Sequence, residues 1–201
     1  MVHLSTSLCG ACLLGTISLP VWLASPYSSA VGADFGPLEK RLRNEQWEAA
    51  AEETQDLVFQ ISKKNAHPTI GQDMLTAQAV ESFPCKDIKS LDALWRKYSQ
   101  DRFGYRSQLL EVKRQAFDLN YERLRETPDV WEKFAKQVGW QAWQERTDDA
   151  LAVKVKTDVP EGTFPLPVRS TADFGDRAVV RNAGVVFGMS FLARSQQCGV
   201  E

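Results

Sequence analysis

Residues Phe83 to Gln108 read FPCKDIKSLDALWRKYSQDRFGYRSQ. Leu91, Leu94, Trp95 and Tyr98 recur three and four residues apart, which puts them on one face of a helix. The residue before a proline avoids the helical region, so Phe83-Pro84 ends whatever precedes it. Ser90 is the expected N-cap of this helix, with Asp92 favourable in its first turn. The helix is expected to run to about Tyr98, with a turn over Gln100 to Gly104. The turn carries Arg102, Phe103, Gly104 and Tyr105, with Gln108 one helical turn later. Flat aromatic area beside cationic donors suits a large planar anion.

Helical signals continue on both sides. Upstream, Asp34-Phe35-Gly36-Pro37 opens the folded part, and Pro37 suits a first helical turn. Leu38, Leu42, Trp47, Ala50, Leu57, Val58 and Ile61 follow at helical spacing, with Asn44 dividing a short helix from a longer one. Lys63 to Gly71 reads as loop, and Gln72 to Val80 as a short helix. Downstream, Leu109, Val112, Ala116, Phe117, Tyr121 and Leu124 predict a long amphipathic helix. Thr127 and Pro128 start another, striped by Trp131, Phe134, Ala135 and Val138 and stopped by Gly139. Leu151 to Val159 alternates like an extended segment. Val159 to Ser170 is a proline-punctuated loop, and Ala183 to Leu192 reads as a last helix. The expectation is an all-α single compact domain of six to eight helices with a long C-terminal loop region.

The chain has 201 residues, enough for one sizeable core. Its formal net charge of -2 gives no global pointer to nucleic acid. Cys9, Cys12, Cys85 and Cys198 are too sparse for a disulfide framework, and the Cys9–Cys12 pair reads as two small apolar residues. Residues 1–33 contain no Asp, Glu, Lys or Arg. They read as an apolar targeting or tethering leader, broken by Pro20. Residues 34–201 then form the domain, with a core over 34–145 and a loop-rich tail over 146–201.

Enzyme chemistry is hard to assemble from these residues. His3 lies in the leader and His67 beside Pro68, so no histidine pair has metal-ligand spacing. No nucleophile elbow and no glycine-rich phosphate loop after a strand is present. Glu52-Glu53 and Asp148-Asp149 read as solvated charges. The expectation is a non-catalytic protein without a metal site.

Several ordered pieces resemble the genomes-uncoupled-four family, the porphyrin-binding accessory proteins of magnesium chelatase. Pro84-Cys85 with Asp87 is similar to the family's Pro-Cys-x-Asp opening. Leu91-Asp92-Ala93-Leu94-Trp95 resembles its Ile-Asp-x-Leu-Trp helix, with Tyr98-Ser99 in register. Arg102 to Gln108 resembles its Arg-Phe-Gly-Phe-x-x-Gln turn, and Phe134 with Val138-Gly139-Trp140 its Phe-x-x-x-Val-Gly-Trp element. Arg194 and Cys198 sit as they do near the end of many members. The sequence departs at Pro160-Glu161-Gly162-Thr163-Phe164-Pro165, where the family often has Pro-x-Gly-His-Leu-Pro.

The resemblance implies a tetrapyrrole-binding regulator of chlorophyll biosynthesis in a plastid, or alternatively in a cyanobacterial cytoplasm. Its ligands would be protoporphyrin IX and magnesium protoporphyrin IX, and its partner the large porphyrin-binding subunit of magnesium chelatase. A monomer with peripheral membrane association and no nucleic-acid role is expected. The porphyrin contacts it implies are Trp95, Arg102, Phe103, Gly104, Tyr105, Gln108, Phe134, Val138, Trp140 and Arg169. Core packing outranks ligand contact for Trp95, Phe134 and Val138, while Phe103 and Tyr105 stand even. Arginine forks suit the two propionates. Burying about 400 Å² of macrocycle at about 25 cal/mol per Å² gives on the order of 10 kcal/mol gross. Association and ordering costs leave binding near micromolar, about -8 kcal/mol. The shortage of histidine disfavours haem, which wants a strong axial ligand. A haem- or bilin-sensing signalling module and a plain helical adaptor are the alternative readings.

Overall fold

Pro37 and Asn44 bracket the first helix as their chemistry requires. Proline fits a first turn, where its missing N–H has no partner to lose, and Asn44 closes the C-terminus of α1 (Gly36–Arg43). The computed structural model describes residues 27–65, 75–116, 119, 128–139, 159–165 and 191–201. Among these the chain is helical, with no strand. After α1 come α2 (Trp47–Lys64), α3 (Ala77–Glu81), α4 (Cys85–Ser99), α5 (Tyr105–Arg114), α6 (Pro128–Gln137) and a helix over 191–197, α7.

Three boundaries differ from the expectation. Helix α4 begins at Cys85 with Pro84 as its N-cap, so Ser90 is an interior residue. Its hydroxyl donates instead to the carbonyl of Ser28, 3.2 Å away. Helix α3 starts only at Ala77, where the Thr76 hydroxyl accepts from the N–H of Ala79. Helix α5 starts early, at Tyr105, and ends at Arg114, where Ala116 takes a φ of 53°. That left-handed geometry disfavours a residue with a Cβ and breaks the expected longer helix. The described last helix covers 191–197. Of the predicted elements, residues 66–74, 117, 121, 124, 151–158 and 166–190 lie outside the described residues, as do residues 1–26 of the expected leader.

Helix α4 is the central element. Ile88, Leu91, Leu94 and Trp95 are fully buried on one face, and α1 packs against both α2 and α4. The Trp95 indole N–H donates to the Thr54 hydroxyl of α2, which in turn donates to the carbonyl of Ala50. That relay satisfies the one polar atom of the largest buried side chain, as burial demands. One turn further along α4, Tyr98 donates to Glu39 of α1. This hydrogen bond, with Lys97 and Arg43 nearby, holds the Glu39 carboxyl below its ordinary range despite opposing desolvation. The stability it adds is present above the ordinary carboxylate value and is lost as pH falls through the lowered one.

The N-terminal segment 27–33 runs along α4. Asp87 accepts from the N–H of Ala30 at 3.0 Å, and Tyr27, Val31 and Ala33 pack partly buried on the core. At the other end of the chain, Cys198 is disulfide-bonded to Cys85, at a sequence separation of 113. The two cysteines therefore act as one long-range cross-link, which the sparse cysteine count did not suggest. Local spacing carries no information about a partner so distant, and constraining a loop of this size favours the folded state by about 4–5 kcal/mol in the chain-entropy account.

The loop at 159–165 completes the core through one side chain. Phe164 stacks on Trp95 at 5.5 Å between centroids with 9° between planes, and meets Phe103 edge-on at 5.2 Å. Trp47 closes the group, edge-on to Phe103 at 5.3 Å. Phe164→Ala is expected to lower the unfolding free energy by about 3–5 kcal/mol, the usual loss for a buried phenylalanine. Denaturant unfolding checks this; a loss below about 1 kcal/mol would mean the loop is not part of the core.

Candidate functional site

Between α4 and α5 the chain reverses in five residues, and every one of them is constrained. Helix α4 ends with Gln100 in the left-handed region at φ 55°, and Asp101 follows at φ 61°. Two consecutive side-chain-bearing residues there store strain that the surroundings must hold. Ser99 accepts from the N–H of Phe103 at 2.9 Å. Arg96 pairs with Asp101 at 2.6 Å and with Asp92 at 3.9 Å, bridging the two sides of the reversal.

Asp92 is the anchor. It lies buried on α4, and its carboxylate accepts from the N–H of Arg106 at 2.9 Å and interacts with the N–H of Tyr105. It thus caps the first turn of α5 from a neighbouring helix, a place where a carboxylate meets both free N–H groups and the positive end of the helix dipole. Burial pushes the Asp92 carboxyl above its ordinary value, while those N–H groups, Arg96 and Arg106 pull it back. The net rise means that its ionisation subtracts from stability as pH climbs through the range just above the ordinary carboxylate value.

Gly104 lies against this carboxylate. Its φ of 127° with ψ of 166° is a region that only glycine enters readily. A Cβ at Gly104 would sit 2.8 Å from Asp92 Oδ1 and 3.0 Å from Arg96 Cγ. The turn is also laced to the 159–165 loop. The N–H of Gly104 donates to the carbonyl of Phe164 at 2.8 Å, and the N–H of Gly162 donates to the carbonyl of Arg102 at 2.9 Å. The Gln108 amide reaches the carbonyl of Pro165 at 2.7 Å, and the Arg102 guanidinium that of Val159 at 3.0 Å.

The sequence-predicted residues fall into three groups. Trp95, Phe103, Tyr105, Gln108, Phe134 and Val138 are buried together beneath the turn and loop. Burial also pushes the Tyr105 hydroxyl well above its ordinary value, so it stays neutral. The faces of Trp95 and Phe103 are taken up by each other, by Trp47 and by Phe164. In this arrangement these rings hold the turn from below rather than lining an open surface. Gly104 is buried with them, and Arg102 is exposed beside half-buried Arg106. Trp140 and Arg169 lie outside the described residues. Asp92, Gly162 and Phe164 were missed as contributors. The alternation that marks a helix face gave no sign that Asp92 caps a different helix, and Phe164 sat in a proline-rich stretch read only as loop. Among the described residues, no cluster of His, Cys, Asp and Glu is placed to hold a metal ion.

The comparisons agree with this architecture. A family model described as GUN4-like matches residues 28–175, and the chain belongs to that family. A Ycf53-like protein of Synechocystis is 27% identical over 70% of this chain and 54% of its own length. A chloroplastic tetrapyrrole-binding protein of Arabidopsis thaliana is 35% identical over 35% of this chain and 26% of its own. The chain thus spans about half the length of the first of these curated relatives and about a quarter of the second. The structure of GUN4 from Chlamydomonas reinhardtii superposes with a TM-score of 0.50, at 23% identity, over 82% of this chain and 93% of that one. That likeness concerns the fold. No helix among the described residues is long and apolar enough to cross a membrane.

If Asp92 and Gly104 act through one contact, their substitutions are coupled. Asp92→Ala is expected to lower stability by about 2–3 kcal/mol through a lost cap and orphaned N–H groups. Gly104→Ala should lower it by at least about 1–3 kcal/mol from backbone strain alone. The double variant should lose less than the sum, because the clash vanishes with the carboxylate. Additive losses in a double-mutant cycle would leave the backbone conformation as the sole demand for glycine.

Proposed function

We propose that this member of the GUN4-like family binds protoporphyrin IX and magnesium protoporphyrin IX and stimulates magnesium chelatase. Family membership carries the reading, and the geometry of the Arg102–Tyr105 turn supports it. A rigid turn that holds a cation at the surface suits a flat ligand with carboxylates on one edge. Arg102 and Arg106 would take the propionates, the first as an exposed fork and the second at the start of α5. Trp140 and Arg169 would complete the contacts, as wall and third cation. Trp95, Phe103, Tyr105, Gln108, Phe134 and Val138 would act from beneath, fixing the turn so that no ordering cost falls on binding.

The protein would be a carrier rather than a catalyst. It would deliver substrate to the large porphyrin-binding subunit of magnesium chelatase or remove product from it, while metal insertion belongs to that partner. Affinity near micromolar suits a cargo that must be released. A plastid or a cyanobacterial cytoplasm is the corresponding location, in keeping with the organisms of the curated relatives.

Absorbance and tryptophan-quenching titrations with protoporphyrin IX, magnesium protoporphyrin IX and haem test the reading. The two porphyrins should bind more tightly than haem; preference for haem would favour a sensing module instead, and no spectral change with any ligand a helical adaptor. Arg102→Glu should weaken protoporphyrin IX about five- to tenfold, equivalent to about 1–1.4 kcal/mol, and its dimethyl ester much less. Equal losses for acid and ester would make Arg102 a structural residue. Phe103→Ala cannot serve as the clean reporter of contact, because Phe103 is buried and its loss would loosen the core.

A further inference from the structure

The C-terminal segment is fastened at one place by three different interactions. The Cys85–Cys198 disulfide joins it to the first residue of α4. The Arg194 guanidinium donates twice to the carbonyl of Phe83, at 3.2 Å and 3.1 Å. Phe191 lies between Phe83, at 5.0 Å, and Tyr105, at 5.2 Å between centroids. Tyr105 is the first residue of α5 and belongs to the Arg-Phe-Gly-Tyr turn. The segment that the disulfide fastens therefore meets that turn through one aromatic contact, Phe191 on Tyr105.

We infer that Cys85–Cys198 is a thiol–disulfide exchange site, and that a protein dithiol reductant acting on it loosens the turn through Phe191 and Tyr105. The inference rests on the tetrapyrrole reading only for what the turn binds. Cys85 is half-buried, whereas Cys198 is buried, so the Cys85 sulfur is the one within reach. The reductant's thiolate bonds to Cys85 Sγ, the bond between the two cysteines breaks, and Cys198 leaves as a thiolate that takes up a proton. The reductant's second thiol then closes its own disulfide. Cys85 leaves as a thiolate at the N-terminus of a fifteen-residue helix, where the free N–H groups and the dipole favour the anion. Two electrons pass to the pair, two protons complete the thiols, and the reductant is oxidised. With the covalent tie open, Phe191 and Arg194 hold the segment by noncovalent contacts alone, and opening of 191–201 becomes a local event rather than one that requires α4 to unravel.

The full chain, oxidised or treated with dithiothreitol, tests this by differential alkylation with peptide mapping, hydrogen exchange and protoporphyrin IX titration. The expected result is reduction of Cys85–Cys198 without denaturant, faster exchange at 102–108, and about tenfold weaker porphyrin binding. A Cys85→Ser/Cys198→Ser variant should match the reduced protein and ignore the reductant. Overturning results are a disulfide that opens only in denaturant, a double variant that still responds to reductant, or exchange at 102–108 that reduction leaves unchanged. If neither redox state binds porphyrin, the ligand reading falls. The clasp is then decided by exchange alone, faster exchange at 102–108 supporting it and unchanged exchange ending it.

Discussion

The carboxylate of Asp92 governs the arrangement around it. It is buried, it is an acceptor only, and it sits where α5 presents its first free N–H groups. A buried charge without donors would be intolerable, so the start of α5 must come to it. That requirement fixes where the chain re-enters a helix after α4. It also explains why the intervening residues accept left-handed geometry at Gln100 and Asp101 and a glycine-only conformation at Gly104. Strain in the reversal is balanced by a cap that no other residue nearby supplies.

A second layer stiffens the same place. The 159–165 loop adds two backbone hydrogen bonds to the turn and packs Phe164 against both Trp95 and Phe103. Polar and apolar contacts thus act on opposite sides of the same few residues. The outcome is a surface feature whose exposed part is Gln100, Asp101 and Arg102, with half-buried Arg106 following, and whose support runs through α2, α4, α6 and the loop. Preorganisation of this kind lets a modest number of contacts hold a ligand without further loss of chain freedom.

Much of the helical architecture was legible in sequence because it is local. The face of Leu91, Leu94 and Trp95, the proline at position 37, Asn44 as a divider and Gly139 as a stop, where φ is 79°, all follow from spacing and backbone chemistry. Ser90 misled because serine is a good cap anywhere a helix might start, and the actual start was set by Pro84, six residues earlier. The cap at Asp92, the stack of Phe164 and the Cys85–Cys198 bond join residues far apart in the chain or on different helices. No periodicity records such pairings. The motif order pointed to the stretch that forms this turn, but it did not separate the residues that meet solvent from those that support them. Phe103 shows the difficulty: an aromatic in a turn beside arginines looks like a ligand wall, yet its ring is enclosed by three others.

The strip of chain along α4 before the first helix bears on where the protein tolerates being cut. Asp87 keeps one carboxylate oxygen on the N–H of Ala30, and its other oxygen has no hydrogen-bond partner. Ser90 holds the carbonyl of Ser28, and Lys64 reaches the carbonyl of Gly32. A protease that trimmed the polypeptide back to Asp34 would strip the remaining donor from an enclosed anion and bare the side of α4 that Val31 and Ala33 shelter. A cut that leaves these contacts whole therefore lies ahead of Tyr27.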